Sequence, residues 1–283
     1  MRLRSHVSHQ LANRFAAAAV GVIAVLTHTV PAMMAQSIPP KGGAGTFEVA
    51  SWNIEFFGGN GGPSDDDRQI SNVREVILDS QVDLWALQEI ADEADFFDMV
   101  ASLGSAYSGL LAPTSKSQGL GLAYVYRNDV VQLRNAREVL TQFTSEFAGR
   151  PPYQIEADIV LPDTTVRVTL INVHMKAQSD RDSYDKRAAA SVRLKNHIDF
   201  TTLATRPVLI LGDLNDLLLN SITSGRASPY KNFVDDIGNY DTPTLQMQLD
   251  ERSTFCGSSS LCRGSTIDHI IITNEVEPWY VED

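Results

Sequence analysis

The sequence predicts an α/β fold in which two mixed β-sheets pack together and helices cover their outer faces. Segments with helical periodicity are interspersed among short apolar runs typical of strands, and some of these runs are joined as hairpins. Residues 46–283 contain no Pro/Gly/Ser linker and no internal repeat, which predicts one large domain. Apolar residues make up 43% of the chain, enough to fill a sizeable core.

The predicted elements begin with a strand over residues 49–55, followed by a loop and a helix. Ser64 or Asp65 caps this helix, whose apolar residues recur on one face. The acidic run 65–67 is explained by the helix N-terminus, which favours carboxylates, rather than by calcium binding. The remaining predicted elements are a strand over 82–89, a helix over 96–103, strands over 122–127, 153–160 and 166–174 with a turn at Asp163-Thr164, a helix over 182–203, and strands over 208–211 and 265–272.

Polar side chains lie at or near the ends of five predicted strands. The buried run 208–211 is followed by Gly212, Asp213, Leu214 and Asn215. The other four strands carry Asn53 and Glu55, Gln88 and Glu89, Asn172 and His174, and Asp268. Each residue has a structural alternative: a turn cap for the Asp and Asn residues, a solvated strand end for the Glu residues, and a hydrogen-bonded core histidine for His174. Five such strands in one chain favour a reaction centre.

In these five motifs and their order, the chain resembles the endonuclease/exonuclease/phosphatase superfamily, over about residues 46–273. The motifs are Trp52-Asn53-Ile54-Glu55, Leu87-Gln88-Glu89, Asn172-Val173-His174, Gly212-Asp213-Leu214-Asn215 and Ile267-Asp268-His269. That superfamily includes pancreatic-type deoxyribonucleases, abasic-site endonucleases, bacterial sphingomyelinases and inositol-polyphosphate phosphatases. The resemblance implies a four-layer α/β/β/α sandwich of two mixed sheets, with the listed strand ends around one cleft.

The residue types also suit phosphodiester hydrolysis, which needs neutralised phosphoryl oxygens, an activated water and a protonated leaving group. Glu55 and Glu89 are hard oxygen ligands for Mg²⁺, with Ca²⁺ or Mn²⁺ as alternatives, and Asn53 adds a neutral ligand. The resemblance implies the same metal-binding roles, and Glu89 is the firmest of the three.

The predicted catalytic residues are His174, Asp213, Asn215 and Asp268. His174 is a proton donor or oxyanion stabiliser, because the ordinary pKa of histidine lies near the working pH. Asp213 orients or deprotonates water, and Asn215 orients a phosphoryl oxygen without adding charge. In the family, the aspartate at the position of Asp268 pairs with a histidine that acts as the base on water.

That histidine belongs to a Ser-Asp-His-x-Pro motif with which family members end, and no such motif follows Asp268 here. This predicts a domain truncated before its last strand, with a bare sheet edge. Asp213 would replace the missing base poorly if its pKa stays near the ordinary value of about 4. We therefore expect residues 36–283 alone to bind divalent metal weakly, to be nearly inactive and to express poorly. The alternative is that Asp268-His269 is itself the terminal pair.

Residues 1–35 have the layout of a secretory signal peptide. They contain three arginines and no acid, then a twelve-residue apolar run over 15–26, then small residues ending at Ala35. The run is short for a membrane span, so an uncleaved anchor is the less favoured alternative. Residues 36–45 form a flexible lead-in. A secreted or periplasmic protein without stable membrane insertion after processing is expected.

Export gives the first testable prediction. Mass spectrometry of the secreted protein is expected to show a new N-terminus near Gln36, because signal peptidase cleaves after Ala35. Recovery of the soluble protein from the cytoplasm with Met1 intact would show that residues 1–35 are not a signal peptide.

The net charge and the two cysteines indicate which interactions and which covalent link to expect. Removing residues 1–35 takes away three arginines and no acid, so the formal net charge of −12 becomes −15. Such a protein gains little general attraction to phosphate backbones, although local charge in a cleft decides substrate binding.

Cys256 and Cys262 are predicted to form a disulfide in an exported protein. A metal-binding pair is the alternative, but no second His/Cys pair with zinc-site spacing accompanies them.

The sequence thus predicts a secreted, metal-dependent phosphodiesterase, with nucleic acid as the first candidate substrate. A phospholipid or inositol-phosphate hydrolase of the same fold is the runner-up, although no exposed aromatic hairpin for membrane contact is evident in the sequence. A non-catalytic binding protein on the same scaffold is the third alternative, because the terminal motif is missing.

Overall fold

The computed structural model describes residues 38–43, 45–59, 61–115, 120–256 and 265–279. The predicted signal peptide and Cys262 lie outside these residues, so both the signal peptide and the Cys256–Cys262 disulfide stay predictions. Within the part of the chain that is described, no helix is both long and apolar enough to cross a membrane.

Two mixed sheets form the centre of the molecule. The first sheet has the spatial order β1-β2-β4-β3, and the second has the order β5-β6-β7-β8-β10-β9. Strands β1 and β2 are parallel, as are β7 and β8, and the other pairs are antiparallel. The strands are β1 (Val49–Phe57), β2 (Leu84–Ile90), β3 (Tyr107–Leu111), β4 (Gly121–Arg127), β5 (Val131–Glu138), β6 (Tyr153–Leu161), β7 (Thr164–His174), β8 (Val208–Asp213), β9 (Tyr240–Asp241) and β10 (Asp268–Thr273).

Helices cover the outer face of each sheet, which confirms the predicted four-layer α/β/β/α sandwich. The helices are α1 (Asp66–Ser80), α2 (Glu93–Ser102), α3 (Arg181–Asp199), α4 (Lys231–Val234) and α5 (Leu245–Leu249). On the first sheet, Val73 and Phe96 of α1 and α2 pack with Leu87 of β2. On the second sheet, Leu194 of α3 packs with Ile171 and Ile210. A third apolar cluster lies between the sheets.

Helix α3 is shorter than predicted, because it ends at Asp199 rather than at residue 203. The Thr201 hydroxyl donates to the carbonyl oxygen of His197 at 2.7 Å and accepts from the amide of Leu203 at 3.3 Å. These local bonds replace helical ones, and a 3₁₀ turn, Thr202–Thr205, follows. Leu203 is still buried, so its apolar character was informative and only its helical assignment was wrong.

Strand β10 does not present the bare edge that we expected. Strand β9 pairs with Ile272 and Thr273. Two residues before Ile272, the amide of Ile270 donates to the Thr244 hydroxyl at 3.1 Å. These contacts occupy part of the outer edge of β10 and hold Asp268 at the far end of the strand.

Candidate active site

Four predicted residues from four strands meet at one end of the sandwich. The Asn53 amide donates to Glu89 Oε1 at 2.9 Å and to Asp213 Oδ2 at 3.0 Å. His174 Nε2 lies 3.7 Å from Glu89 Oε1 and 3.6 Å from Asp213 Oδ2. We call Asn53, Glu89, His174 and Asp213 the central cluster.

Parallel strand pairing brings these residues together. Asn53 is in register with Gln88 on neighbouring β2, and His174 with Asp213 on β8, so both pairs lie at the carboxyl ends of their strands. Glycine is required at position 212, because a Cβ there would lie 1.9 Å from the carbonyl oxygen of Val173. This close approach places Asp213 directly beside His174.

A buried amide network joins the two sheets beneath the central cluster. The Asn172 amide donates to the carbonyl oxygens of Leu87 and Ala123 at 3.0 and 2.9 Å, and Asn172 Oδ1 accepts from the Gln88 amide at 2.8 Å. Both side chains are fully buried. Asn172 and Gln88 therefore fix the position of one sheet on the other, which sets the distance between Glu89 and His174.

Glu55 lies apart from the central cluster, contrary to its predicted position among the metal ligands. Glu55 and Phe56 both have left-handed backbones, with φ of 45° and 51°, and β1 loses its register with β2 here. This bulge turns the Glu55 carboxylate out to solvent. The Gln69 amide holds the bulge by donating to the carbonyl oxygens of Ile54 and Glu55 at 2.7 and 2.8 Å.

The same bulge serves Glu89 through backbone groups. The amide of Phe56 donates to Glu89 Oε2 at 3.2 Å, and the amide of Glu55 donates to Asn53 Oδ1 at 3.0 Å. Glu89 itself has a φ of 64°, at a second register shift between Gln88 and Ile90. Both bulges thus orient the side chains of the central cluster.

Asp268 lies beside Asp213 as its cross-strand partner on β10. Burial, followed by the charge of Asp268, raises the pKa of Asp213 to about 7. Burial also raises the pKa of Asp268, whose Oδ1 has no hydrogen-bond partner. The condition under which Asp213 would be a poor base, an ordinary pKa near 4, therefore does not hold in this structure.

His269 does not share the surroundings of Asp268. Its Nδ1 lies 3.1 Å from the Thr244 hydroxyl, and burial lowers its pKa to about 4. Successive strand residues face opposite sides of a sheet, so Asp268 and His269 cannot both face the central cluster. The structure thus places only Asp268 at the site.

His174 is a neutral imidazole in this environment. Burial, with a smaller contribution from the charge of Arg150, lowers its pKa well below the ordinary value, and its Nδ1 is buried without a hydrogen-bond partner. The prediction that its pKa lies near the working pH is therefore wrong for the protein without bound ligands. A neutral His174 can donate one hydrogen bond from one ring nitrogen and accept one at the other, and it carries no positive charge.

Arg150 is a site residue that the sequence analysis missed. Its guanidinium donates to the carbonyl oxygens of His174 and Met175, both at 3.3 Å. Burial lowers its pKa, and the charges of Glu89 and Asp213 partly offset this effect. The motif Gly149-Arg150-Pro151 lies in an irregular loop, where no periodicity marks a functional side chain.

Asn215 supports the central cluster from behind. Its backbone amide donates to Asp213 Oδ1 at 2.9 Å, and its side-chain amide donates to the carbonyl oxygen of Met175 at 3.2 Å. It adopts a left-handed backbone with a φ of 52°. The structure therefore shows Asn215 orienting Asp213 and the segment after β7, and leaves its predicted contact with a phosphoryl oxygen as a prediction.

The residues present fit a hydrated divalent cation rather than a closed metal site. Among the described residues, no group of three or more His, Cys, Asp or Glu side chains is arranged to hold a metal ion. Mg²⁺ typically keeps several waters and takes one or two carboxylates plus substrate phosphate. The Glu89 carboxylate, with its side chain 15% exposed, suits that mode of binding. Asn53 turns its amide nitrogen toward Glu89 and its oxygen toward the amide of Glu55, so its oxygen would join the ligands after rotation of the side-chain amide.

A cavity of about 550 Å³ opens beside the central cluster. Trp52, Asn53, Ile54 and Glu55 of β1 line one side of it. The N-terminal half of α1, including Arg68 and Asn72, lines the other side. Asn53 is common to the cavity and the central cluster, so a phosphoester bound at the cluster can extend into this cavity.

An α/β/β/α sandwich with carboxylates, an amide and a histidine gathered at its strand ends has the architecture of a phosphoester hydrolase. Residues 50–283 match the Endonuclease/Exonuclease/phosphatase family, and the chain belongs to this family. A comparison with curated proteins finds no match.

Solved structures of low sequence identity share the fold. The human Nocturnin catalytic domain with bound sulfate has a TM-score of 0.55 at 19% identity, covering 82% of this chain and 84% of that chain. Humanized D. rerio TDP2 gives 0.57 at 14% identity, with 80% and 83% covered. The Bacteroides thetaiotaomicron mannosyl-6-phosphatase gives 0.54 at 17% identity, with 81% and 86% covered. These similarities support the fold alone.

Proposed function

We propose that this protein is an exported phosphodiesterase that depends on a divalent cation, most suitably Mg²⁺, and that its substrate is nucleic acid. The convergence of Asn53, Glu89, His174 and Asp213, whose facing polar atoms lie between 2.9 and 3.7 Å apart, carries this proposal. The adjoining cavity supports it, because it gives space to the groups on either side of a scissile phosphate.

Each member of the central cluster has a distinct role in this mechanism. Glu89 and Asn53 would hold the cation, which would supply Lewis-acid stabilisation of a phosphoryl oxygen. His174, neutral and buried, donates a hydrogen bond to a phosphoryl oxygen as negative charge develops there. Asp213 orients or deprotonates the attacking water, and the neighbouring charge of Asp268 helps to raise the pKa of Asp213 toward that of a base. Arg150 lies behind His174 and offsets part of the negative charge of the site.

One observation favours a second candidate function, hydrolysis of small phosphorylated molecules. The charges of Asp92, Asp66, Asp98 and Asp67 all raise the pKa of Asp95, which shows that the N-terminal turns of α1 and α2 form one acidic surface. Asp65 extends this surface to the cavity. A polyanion meets repulsion along this wall, whereas a sugar phosphate, an inositol phosphate or a phospholipid headgroup brings fewer charges.

Hydrolysis of DNA, RNA, sphingomyelin and inositol phosphates with and without Mg²⁺ tests the proposal. We expect Mg²⁺-dependent cleavage of DNA or RNA by the wild-type protein, and loss of cleavage in His174→Ala. Because the acidic wall repels polymer, the KM for polymer should fall as NaCl rises toward 0.15 M, opposite to the usual salt dependence of nucleic-acid binding.

Other outcomes of the same panel decide between the alternatives. Turnover of sphingomyelin or inositol phosphates without cleavage of DNA or RNA would replace the nuclease proposal with the second candidate. Binding of these ligands without any hydrolysis would identify a non-catalytic binding protein.

A further inference from the structure

A fully buried ion pair lies behind the central cluster, and the sequence analysis gave neither of its residues a role. Arg187 Nε on α3 donates to Asp216 Oδ2 at 2.9 Å, and both side chains are completely buried. Asp216 follows Asn215 directly and lies three residues after Asp213. The pair therefore lies at the base of the loop that leaves the site.

The Arg187 guanidinium joins three segments of the chain. Its NH1 group donates to the carbonyl oxygens of Lys176 and Gln178, both at 2.7 Å, and its NH2 group donates to the Thr223 hydroxyl at 3.2 Å. Lys176 and Gln178 belong to the segment that follows His174. One planar side chain thus fixes the segments after β7 and β8 relative to each other.

The Asp216 carboxylate uses the rest of its hydrogen-bonding capacity on its own loop. Oδ1 accepts from the amides of Leu217 and Ile222 at 2.9 and 2.7 Å, and Oδ2 also accepts from the Ser221 hydroxyl at 2.8 Å. The loop over residues 216–223 is therefore folded around this carboxylate.

Stability alone does not account for such a pair. Removing two charges from water is costly, and well-packed apolar pairs of similar volume are often as stable or more so. An apolar pair, however, has no groups to bond the carbonyl oxygens of Lys176 and Gln178 or the amides of Leu217 and Ile222. Only the ion pair can hold the segments after β7 and β8 in place relative to each other.

We propose that Arg187 and Asp216 are positioning residues that hold His174 and Asp213 at their working separation. This inference rests on the proposed hydrolytic function of the central cluster. The pair acts on residues of the second sheet, through the segments that follow β7 and β8. Glu89 and Asn53 are carried by the first sheet, so the pair sets the geometry of His174 and Asp213 without changing the cation-binding residues.

The test compares an apolar replacement of the pair with a matched replacement on the same helix. The test variants are Arg187→Met/Asp216→Leu and the single variant Arg187→Lys, which keeps the charge but loses the planar fork. The control is Arg193→Met/Glu146→Leu, which removes a partly exposed ion pair of 3.1 Å between α3 and a turn segment outside the helix. All are made in the full chain. The readouts are kcat and KM on the best substrate of the panel, Mn²⁺ affinity, thermal unfolding, and the ¹⁵N chemical shifts of the His174 ring.

We expect both test variants to lower kcat by about 10²-fold, because small misplacement of reacting groups has effects of this size. KM and Mn²⁺ affinity should be unchanged, and the His174 ring shifts should move. The control should change none of these. A kcat within twofold of the wild type in both folded test variants would overturn the proposal, as would parallel losses of kcat and Mn²⁺ affinity.

Two further outcomes keep the inference decidable. If the double variant fails to fold, Arg187→Lys carries the test. If the wild-type protein hydrolyses nothing in the panel, the proposed function fails, and the His174 ring shifts decide this inference separately. Shifts that move in the test variants but not in the control support a positioning role, and shifts that stay at their wild-type values exclude it.

Discussion

Glu89→Gln is expected to reduce turnover by several orders of magnitude while leaving the fold intact. The substitution removes one charge and keeps nearly the same shape. The remaining oxygen can keep one of the two bonds that Glu89 accepts, either from the Asn53 amide or from the amide of Phe56. The substitution removes the carboxylate of the central cluster that is most exposed to solvent, and cation binding should weaken as a result. Lewis-acid stabilisation is worth several kcal/mol, and each ~1.4 kcal/mol is a factor of ten in rate.

Kinetics at limiting Mg²⁺, together with circular dichroism, check this prediction. Glu75→Gln, an exposed position on α1, is the matched control and should behave as the wild type. A Glu89→Gln protein with an unchanged rate at limiting Mg²⁺ would show that Glu89 is a solvated strand end and that the cation, if used, binds elsewhere.

Asp213→Asn is expected to lower activity by about 10²–10⁴-fold, the usual contribution of a general base, and to raise stability at neutral and alkaline pH. The stability gain follows from the position of Asp213, because its negative charge is desolvated and faces the charges of Asp268 and Glu89. An amide at this position resembles the protonated carboxyl group and carries no charge. Loss of function and gain of stability are thus expected from the same substitution.

The pH dependence of this stability gain has a defined sign. The folded-state pKa of Asp213, about 7, lies above its ordinary value of 3.8. The protonated group is therefore favoured by folding, and the wild-type protein loses stability as pH rises from about 4 through 7. The stability difference between Asp213→Asn and wild type should grow over that range, to on the order of a few kcal/mol.

Urea unfolding in EDTA at several pH values measures this difference. Asp158→Asn is a control of opposite sign, because hydrogen bonds from Arg167 and Arg134 lower the pKa of Asp158 to about 2. That variant should be less stable than the wild type above pH ~4, and the difference should disappear as pH falls through about 2. A stability difference for Asp213→Asn that is flat with pH would contradict a raised pKa.

The elements that could be predicted from sequence are those with strong local signals. Strands β1, β2, β4, β6, β7, β8 and β10 are rich in apolar and β-branched residues, and α1 has a clear cap at Asp65. Strand β5 was missed because its sequence is VQLRNARE and most of its side chains are exposed or half-buried. It is a strand because β6 pairs with it over most of its length, which is a tertiary effect.

Placement of the site residues was predictable where strand ends determine it. The carboxyl ends of parallel strands share an edge, which places Asn53 beside Glu89 in the first sheet and His174 beside Asp213 in the second. The predicted sandwich of two sheets then brings the two pairs together. Glu55 could not be placed, because two consecutive left-handed residues other than glycine are disfavoured locally and depend on Gln69 from another element.

The two arginines that the sequence analysis did not recognise near the site lie outside the strands. Arg150 is contributed by an irregular loop and Arg187 by the middle of a helix. Neither position has a spacing that distinguishes it from an exposed arginine. Their burial, and the carbonyl oxygens that they bond, exist only in the folded chain.

The two sheets consist of consecutive halves of the chain, which has a consequence for synthesis. Strands β1 to β4 are complete at Arg127, whereas β8, the last strand to contribute to the central cluster, ends at Asp213. A ribosome adds about 5–20 residues per second, so roughly 4–17 seconds separate these points. During that interval Asn53 and Glu89, the proposed cation-binding residues, exist without His174 and Asp213, the residues proposed to act on the phosphoryl oxygen and on water. The inner face of the first sheet, including Leu84 and Tyr124, still lacks its cover, so the nascent chain exposes an apolar surface that favours aggregation until the second sheet forms.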